Sequence, residues 1–294
     1  MTTNVLKIIA IIAMIIDHIG SYFRIALDEN IYYIFRSVGR IVMPIFLYLL
    51  VQGFFHTSNI KRYIFRIFCL ATITQTAIFI MGMVNQLLFP NYYTQVNEYI
   101  GILYSYTLSL ILISMIEYKT IFKCFNNTIN LILRIAIIVL IFVIYMNIKV
   151  EFDMRIPFMC IELYIIEKLF MDKDKKILFT NKIFENKAQK IVLKLAYLSL
   201  ILLAFVTSLD FSKFHPGYKY SIIYSIIPIA LYNGQLGRRN KFIKTMFYAV
   251  FPLQHIILYL LAMICTNIWN KRGRNERKKI ILRIWTNLLW NIFI

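Results

Sequence analysis

Apolar runs of about twenty residues recur along nearly the whole chain, the length at which an α-helix crosses the hydrocarbon core of a bilayer. About nine can be placed, near residues 5–27, 35–56, 62–83, 97–117, 129–149, 154–171, 190–209, 219–234 and 244–268. In lipid every backbone N–H and C=O must be satisfied internally, which leaves helices or a closed barrel, and runs of this length are helical. Composition agrees: of 294 residues, 60% are hydrophobic and 16% charged, far from the balance of a water-soluble domain. The expected fold class is all-α, a polytopic transmembrane helix bundle of about nine spans with a cytoplasmic N-terminus. No internal repeat or linker divides the chain, so residues 1–270 should form one lipid-embedded domain and 271–294 a basic amphipathic tail.

The 33 Lys and Arg against 14 Asp and Glu give a formal charge of +19, which raises the question of nucleic acid. The positive residues instead sit in short clusters at 61–66, 173–194, 238–244 and 271–279. No basic stripe follows one face and no reader motif is present, so the expected partner is membrane lipid and not nucleic acid. The clusters fall on alternate loops, which places those loops in the cytoplasm with the N-terminus. One segment disagrees: nine spans starting inside end outside, where the basic stretch 271–279 would lie. The closing stretch 280–294, with Trp285 and Trp290, is short for a span and reads as an interfacial helix.

Cys69, Cys124, Cys160 and Cys265 are scattered without C-x-x-C spacing and read as small core residues. The histidines His18, His56, His215 and His255 show no zinc-ligand spacing, so no metal is expected.

Ionisable residues at membrane depth are where the chemistry should lie, because each is expensive to insert there. Asp17 and His18 fall near the middle of the first run, with no small-residue cleavage site after it, so this is a retained span. Asp17, Ser21 and Arg24 share one helical face, which leaves His18 to face a cavity or to join two helices as a structural residue. The second run carries Arg36, Arg40, Pro44, Tyr48, Gln52 and His56 as a polar stripe, with Arg40 a partner for Asp17 in an ion pair that is either structural or catalytic. After His56 come Thr57, Lys61 and Arg62, groups able to hold phosphates or simply to anchor a cytoplasmic loop. Near the C-terminus, Tyr232, Asn233, Gly234, Arg238 and Arg239 form a donor-rich turn, and Tyr248, Pro252, His255 and Tyr259 lie on one face of the last run, with His255 level with His18.

At these same residues the chain resembles the TraX family of conjugal-transfer proteins, membrane acyltransferases associated with N-terminal acetylation of pilin. The resemblance is carried by LKIIAIIAMIIDHIG, FRSVGRIVMPIFLYLLVQGFFHTSNIKRYIFRI and ALYNGQLGRRNKFIKTMFYAVFPLQHIILYLL. Asp17 and His18 match the family's Asp-His pair; Arg36, Gly39, Arg40 and Pro44 its Arg-x-x-Gly-Arg and Pro; His56 and Thr57 its His-Thr. Tyr232, Asn233 and Gly234 match its Tyr-Asn-Gly, and Tyr248, Pro252 and His255 its Tyr-Pro-His element. Gln52 departs from a common Glu, Asp153-Met154-Arg155 from a usual Asp-Tyr-Gly, and the segment 84–150 and the tail match poorly or not at all.

The resemblance implies a multi-pass enzyme of the bacterial plasma membrane that moves an acetyl or short acyl group from acetyl-CoA, its acyl donor, to an amine or hydroxyl acceptor on a peptide, glycan or lipid. In that reading His18 is the base, Asp17 and Arg40 assist it, and His255 is a second base or acyl carrier. His56, Thr57, Lys61, Arg62, Tyr232, Asn233, Gly234, Arg238 and Arg239 would bind the coenzyme at the cytoplasmic mouth. Two other readings use the same residues: a transporter or flippase for a small anionic metabolite or lipid, and a non-catalytic subunit of a membrane machine.

Overall fold

The structure is a computed structural model that describes residues 1–24, 26–88, 100–117, 125–170, 187–208, 220–235, 237 and 241–271. The described regular structure is helical, apart from one isolated parallel bridge between Ile100 and Val150. We number the helices α1 (Thr3–Tyr22), α2 (Glu29–Arg40), α3 (Val42–His56), α4 (Ile60–Leu88), α5 (Ile102–Glu117), α6 (Asn127–Asn147), α7 (Arg155–Phe170), α8 (Lys187–Ser208), α9 (Ile226–Ala230) and α10 (Lys241–Lys271). Among the described residues, five stretches are long and apolar enough to cross a membrane: Thr3–Tyr22, Glu29–His56, Ile60–Val84, Asn127–Asn147 and Thr245–Cys265. The outward faces carry bare aliphatic side chains, among them Ile12, Ile73, Ile132 and Leu140, as lipid contact requires and water would penalise.

The second run forms two helices rather than one. Its break is the single turn residue Ile41, three positions before Pro44. Proline has no N–H to give the carbonyl of Arg40, and its ring crowds that carbonyl, so the ladder is interrupted at this point. The run 219–234 also differs from a spanning helix: it is a 3-10 turn (Tyr220–Ser225) followed by the five-residue α9. Pro228 cannot serve the carbonyl of Tyr224, and hydroxyl-bearing Ser221 and Ser225 are weak helix formers, so a continuous α-helix is not sustained.

α1 and α2 form the tightest hairpin. A Cβ on Gly20 would stand 3.0 Å from the Cβ of Phe35, and one on Gly39 would stand 2.2 Å from the Cβ of Asp17, so only glycine lets these helices approach so closely. α10 runs parallel to α1: Lys7 lies over the Phe247 ring, His18 meets His255, and Tyr22 meets Tyr259. α10 therefore ends on the face opposite Met1; beyond Lys271 the basic stretch and the tail lie outside the described residues.

The half of the bundle nearest Met1, here the N-terminal face, is filled by a core of Leu6, Ala10, Leu47, Tyr48, Val51, Leu163 and Leu202 with a polar cluster inside it. There Lys194 pairs with Glu167 at 2.5 Å and donates to the Tyr48 hydroxyl at 3.2 Å. Glu117, Tyr164 and Lys168 bond one another nearby. Cys69, Cys160 and Cys265 are free thiols, while Cys124 lies outside the described residues.

Candidate active site

Away from the N-terminal face the packing opens into a cavity of about 520 Å³, room for a small substrate or one end of a longer one. Its walls come from α1, α2, α3, α4, α5 and α10, the loop at Glu151 and the 3-10 turn. Asp17, His18, Arg40 and His255 all line it, so the four residues expected to carry the chemistry share one space. Ser21 and Arg24 line it too, on the helical face they share with Asp17.

Asp17 is held from α2. Its Oδ1 lies 2.7 Å from Arg36 and 3.7 Å from Arg40, and Arg36 also donates to the Asp17 carbonyl at 3.3 Å. The closer partner is thus Arg36 rather than Arg40: Gly39 is level with Asp17, and Arg36, three residues before it and so on the same helical face, reaches the carboxylate with its long side chain. Arg40, 8% exposed, also donates from Nε to the Arg36 carbonyl, which fixes its guanidinium at the cavity wall.

The imidazoles of His18 and His255 meet edge to face, their centroids 4.4 Å apart. Tyr22, four residues after His18 and so on the same helical face, shares a 2.9 Å hydrogen bond with His255 Nδ1. Several buried polar atoms at the cavity meet no hydrogen-bond partner of regular geometry among the described residues: His18 Nδ1, Arg36 Nε, Thr74 Oγ1 and both amide atoms of Gln254. Buried polar groups are ordinarily satisfied, so their convergence on one cavity fits a polar ligand.

Glu151, in the loop between α6 and α7, also lines the cavity. Its N–H donates to the Ile100 carbonyl, and the chain then reverses through Phe152 and Asp153 at φ 62° and 48°, a left-handed conformation that non-glycine residues rarely adopt. The residue keeps accessible surface because it faces the open cavity, while protein atoms crowd round its carboxyl. Burial pushes its carboxyl above the ordinary range; Arg40 pulls it down and Asp17 pushes it up. Only the tertiary fold brings it to α1 and α2. Tyr22 had a signal in its spacing from His18, and Gln254 in being a polar neighbour of His255 within an apolar run.

The residues expected to bind the coenzyme lie elsewhere, and none of the described ones lines the cavity. His56 ends α3, exposed, its Nδ1 donating to the Gln52 carbonyl at 2.7 Å. Thr57 follows it, and Lys61 and Arg62 are exposed in the first turn of α4. The turn of Tyr232, Asn233 and Gly234 docks the chain's own N-terminus: Tyr232 and Thr3 share a hydrogen bond of 3.0 Å, Asn233 N–H donates to the Met1 carbonyl at 2.9 Å, and Thr3 N–H to the Gln235 carbonyl at 2.8 Å. Arg238, Arg239 and His215 lie outside the described residues.

The family described as TraX protein matches residues 2–262. The chain belongs to the TraX family. A curated relative, the "Probable fimbrial assembly protein FimC, serogroup H1" of Dichelobacter nodosus, is 40% identical over 70 residues, which cover 24% of this chain and 28% of the relative. No solved structure matches. This TraX-family chain is thus a helical membrane protein of a pilus-related family, and its family match runs through α1, the cavity and α10.

Proposed function

We propose that this chain is an integral membrane acyltransferase that moves an acetyl or similar short acyl group from coenzyme A to an amine or hydroxyl acceptor. A pilin-like peptide N-terminus is the acceptor the family resemblance favours, with another peptide, a glycan or a lipid as alternatives. The observation that carries the reading is the His18–His255 pair, 4.4 Å apart in a cavity walled by long apolar helices, in a chain of the TraX family.

In this mechanism His18 takes the acceptor's proton as the acceptor attacks the thioester carbonyl. Asp17, held by Arg36, keeps Arg40 at the cavity wall, where its guanidinium stabilises the negative charge growing on the carbonyl oxygen. His255, positioned by Tyr22, passes a proton to the leaving thiolate or carries the acyl group. His56, Thr57, Lys61, Arg62, Tyr232, Asn233 and Gly234, with Arg238 and Arg239, would bind the coenzyme phosphates at a cytoplasmic N-terminal face of a bacterial plasma-membrane protein. For the acyl group to reach the imidazoles from there, the packed layer of Met43, Phe46 and Phe251 has to part.

The test is binding and hydrolysis of radiolabelled acetyl-CoA by the purified protein in detergent, beside His18→Ala and Arg40→Ala at matched folding. Saturable binding with thioester turnover lost in His18→Ala supports the reading. No binding at millimolar coenzyme sinks it. That outcome would favour a carrier for a small anion, a reading that draws on Arg24, Arg36 and Arg40 facing one cavity.

A further inference from the structure

Gln254 lies on α10, is 6% exposed and lines the cavity, yet among the described residues neither its amide N–H nor its carbonyl oxygen meets a hydrogen-bond partner of regular geometry. Its amide comes close to the His18 ring and interacts with it, but outside regular hydrogen-bond geometry. Thr74 on α4, also 6% exposed and lining the cavity, has an unpartnered hydroxyl. α4 and α10 pack along one another, so both side chains come from one helix pair. These atoms are buried from bulk water, and leaving both ends of an amide unmet is unfavourable.

We propose that Gln254, with Thr74, binds a secondary amide of the ligand. A glutamine amide offers a donor and an acceptor side by side in one plane, and the neutral group that answers both at once is another amide. A carboxylate meets only the donor and an ammonium only the acceptor; charge in this cavity is handled instead by Asp17, Arg36 and Arg40. The choice of sources rests on the acyltransferase reading: the pantetheine arm of the donor and the backbone of a peptide acceptor both carry secondary amides.

Gln254→Met keeps the side chain's length and removes both bonding atoms, and Thr74→Val removes the hydroxyl. kcat/KM is compared for S-acetyl-N-acetylcysteamine, which has one amide, and S-butyl thioacetate, which has none. With acetyl-CoA as donor, it is compared for alanine dipeptide amide and butylamine as acceptors. In Gln254→Met the preference for the amide-bearing member of one pair should fall about tenfold, and the affected pair names the source. The thermal midpoint of the ligand-free protein should hold or rise, because an unmet buried group is gone. Equal loss on every probe, an unchanged preference in both pairs, or a lowered midpoint would make Gln254 a structural support of His18 and overturn the proposal. Thr74→Val carries the same comparison if Gln254→Met does not fold. Should the wild-type protein transfer no acyl group, the acyltransferase reading fails by itself. Calorimetric binding of pantetheine and of the dipeptide amide then decides the amide site: weakening of one of them in Gln254→Met supports it, and unweakened or absent binding overturns it.

Discussion

His18, on the first helix, and His255, on the last, are 237 positions apart in sequence, yet their rings meet with centroids 4.4 Å apart. Tyr22 reaches across from α1 to hold His255 Nδ1 at 2.9 Å. If these rings move the protons of acyl transfer, His18→Ala should lower thioester turnover by about a hundredfold or more. Tyr22→Phe leaves both rings in place and only loosens His255, so its loss should be nearer tenfold. Thiol release from acetyl-CoA measures both; an equal loss in the two variants would put the tyrosine hydroxyl itself at the reacting atoms.

Gly39 and Asp17 make a contact that admits no larger residue. A Cβ at position 39 would lie 2.1 Å from Asp17 Oδ1 and 2.2 Å from its Cβ. Gly39→Ala should therefore force α1 and α2 apart, cost about 1–3 kcal/mol in stability and break the Asp17–Arg36 pair. Because the clash includes the Asp17 Cβ, Asp17→Ala should not rescue it. Thermal unfolding in detergent of the single and double variants checks this, and rescue would mean that only the carboxylate is crowded.

Arg36 and Arg40 should separate in their effects. Arg36 makes the short contacts to Asp17, so Arg36→Ala leaves that carboxylate without its nearest cation and should destabilise by about 1–3 kcal/mol, the cavity's openness tempering the loss. Arg40 is the more distant partner, and Arg40→Ala should lower turnover about a hundredfold with a smaller change in thermal midpoint. Paired turnover and unfolding measurements decide, and a reversed order would exchange the two roles.

The buried pair of Lys194 and Glu167 predicts a stability effect on the opposite side of the bundle. With Glu167 only 7% exposed in its side chain, Lys194→Met should strand a carboxylate and destabilise by about 3 kcal/mol or more, and adding Glu167→Leu should recover most of that. Unfolding of the two variants checks it; an unaltered midpoint in Lys194→Met would show that Glu167 is satisfied by other groups.

Glu151 gives the protein a pH dependence of definite sign. Its carboxyl titrates above the ordinary 4.5 in the fold, so the folded state holds its proton more tightly than the unfolded chain does. That contribution to stability is fully present below the ordinary value and is lost as pH rises through the folded one. Relative to Glu151→Gln, which mimics the neutral carboxyl, the wild-type midpoint should fall as pH climbs from about 4.5. Parallel profiles for the two proteins would mean that Glu151 is ionised as freely in the fold as in water.

Much of this was legible in the residues. The apolar runs announce helices, the i, i+4 spacings put Asp17 with Ser21 and Tyr22 with His18, and the level of His255 in the last run agrees with its meeting His18. Glu151 was hidden because its place depends on a backbone reversal through two left-handed residues and on a bridge to Ile100, neither of which has a local sequence period. The turn at Asn233 read as a ligand-binding element because its donors are plain in sequence; that Met1 and Thr3 fill it is a contact between segments far apart in the chain.

By itself the sequence determined that the protein is a helical bundle in lipid, since hydrophobic length and the need to satisfy the backbone leave little choice. Tertiary structure alone decided which polar residues share a space: Arg36 rather than Arg40 lies nearest Asp17, Glu151 and Gln254 join the histidines, and the basic residues of the N-terminal face stand apart from them. The reason is physical. Helical periodicity fixes a side chain's direction about its own axis, whereas the depth and azimuth at which helices meet are set by close packing at Gly20 and Gly39 and by the break before Pro44.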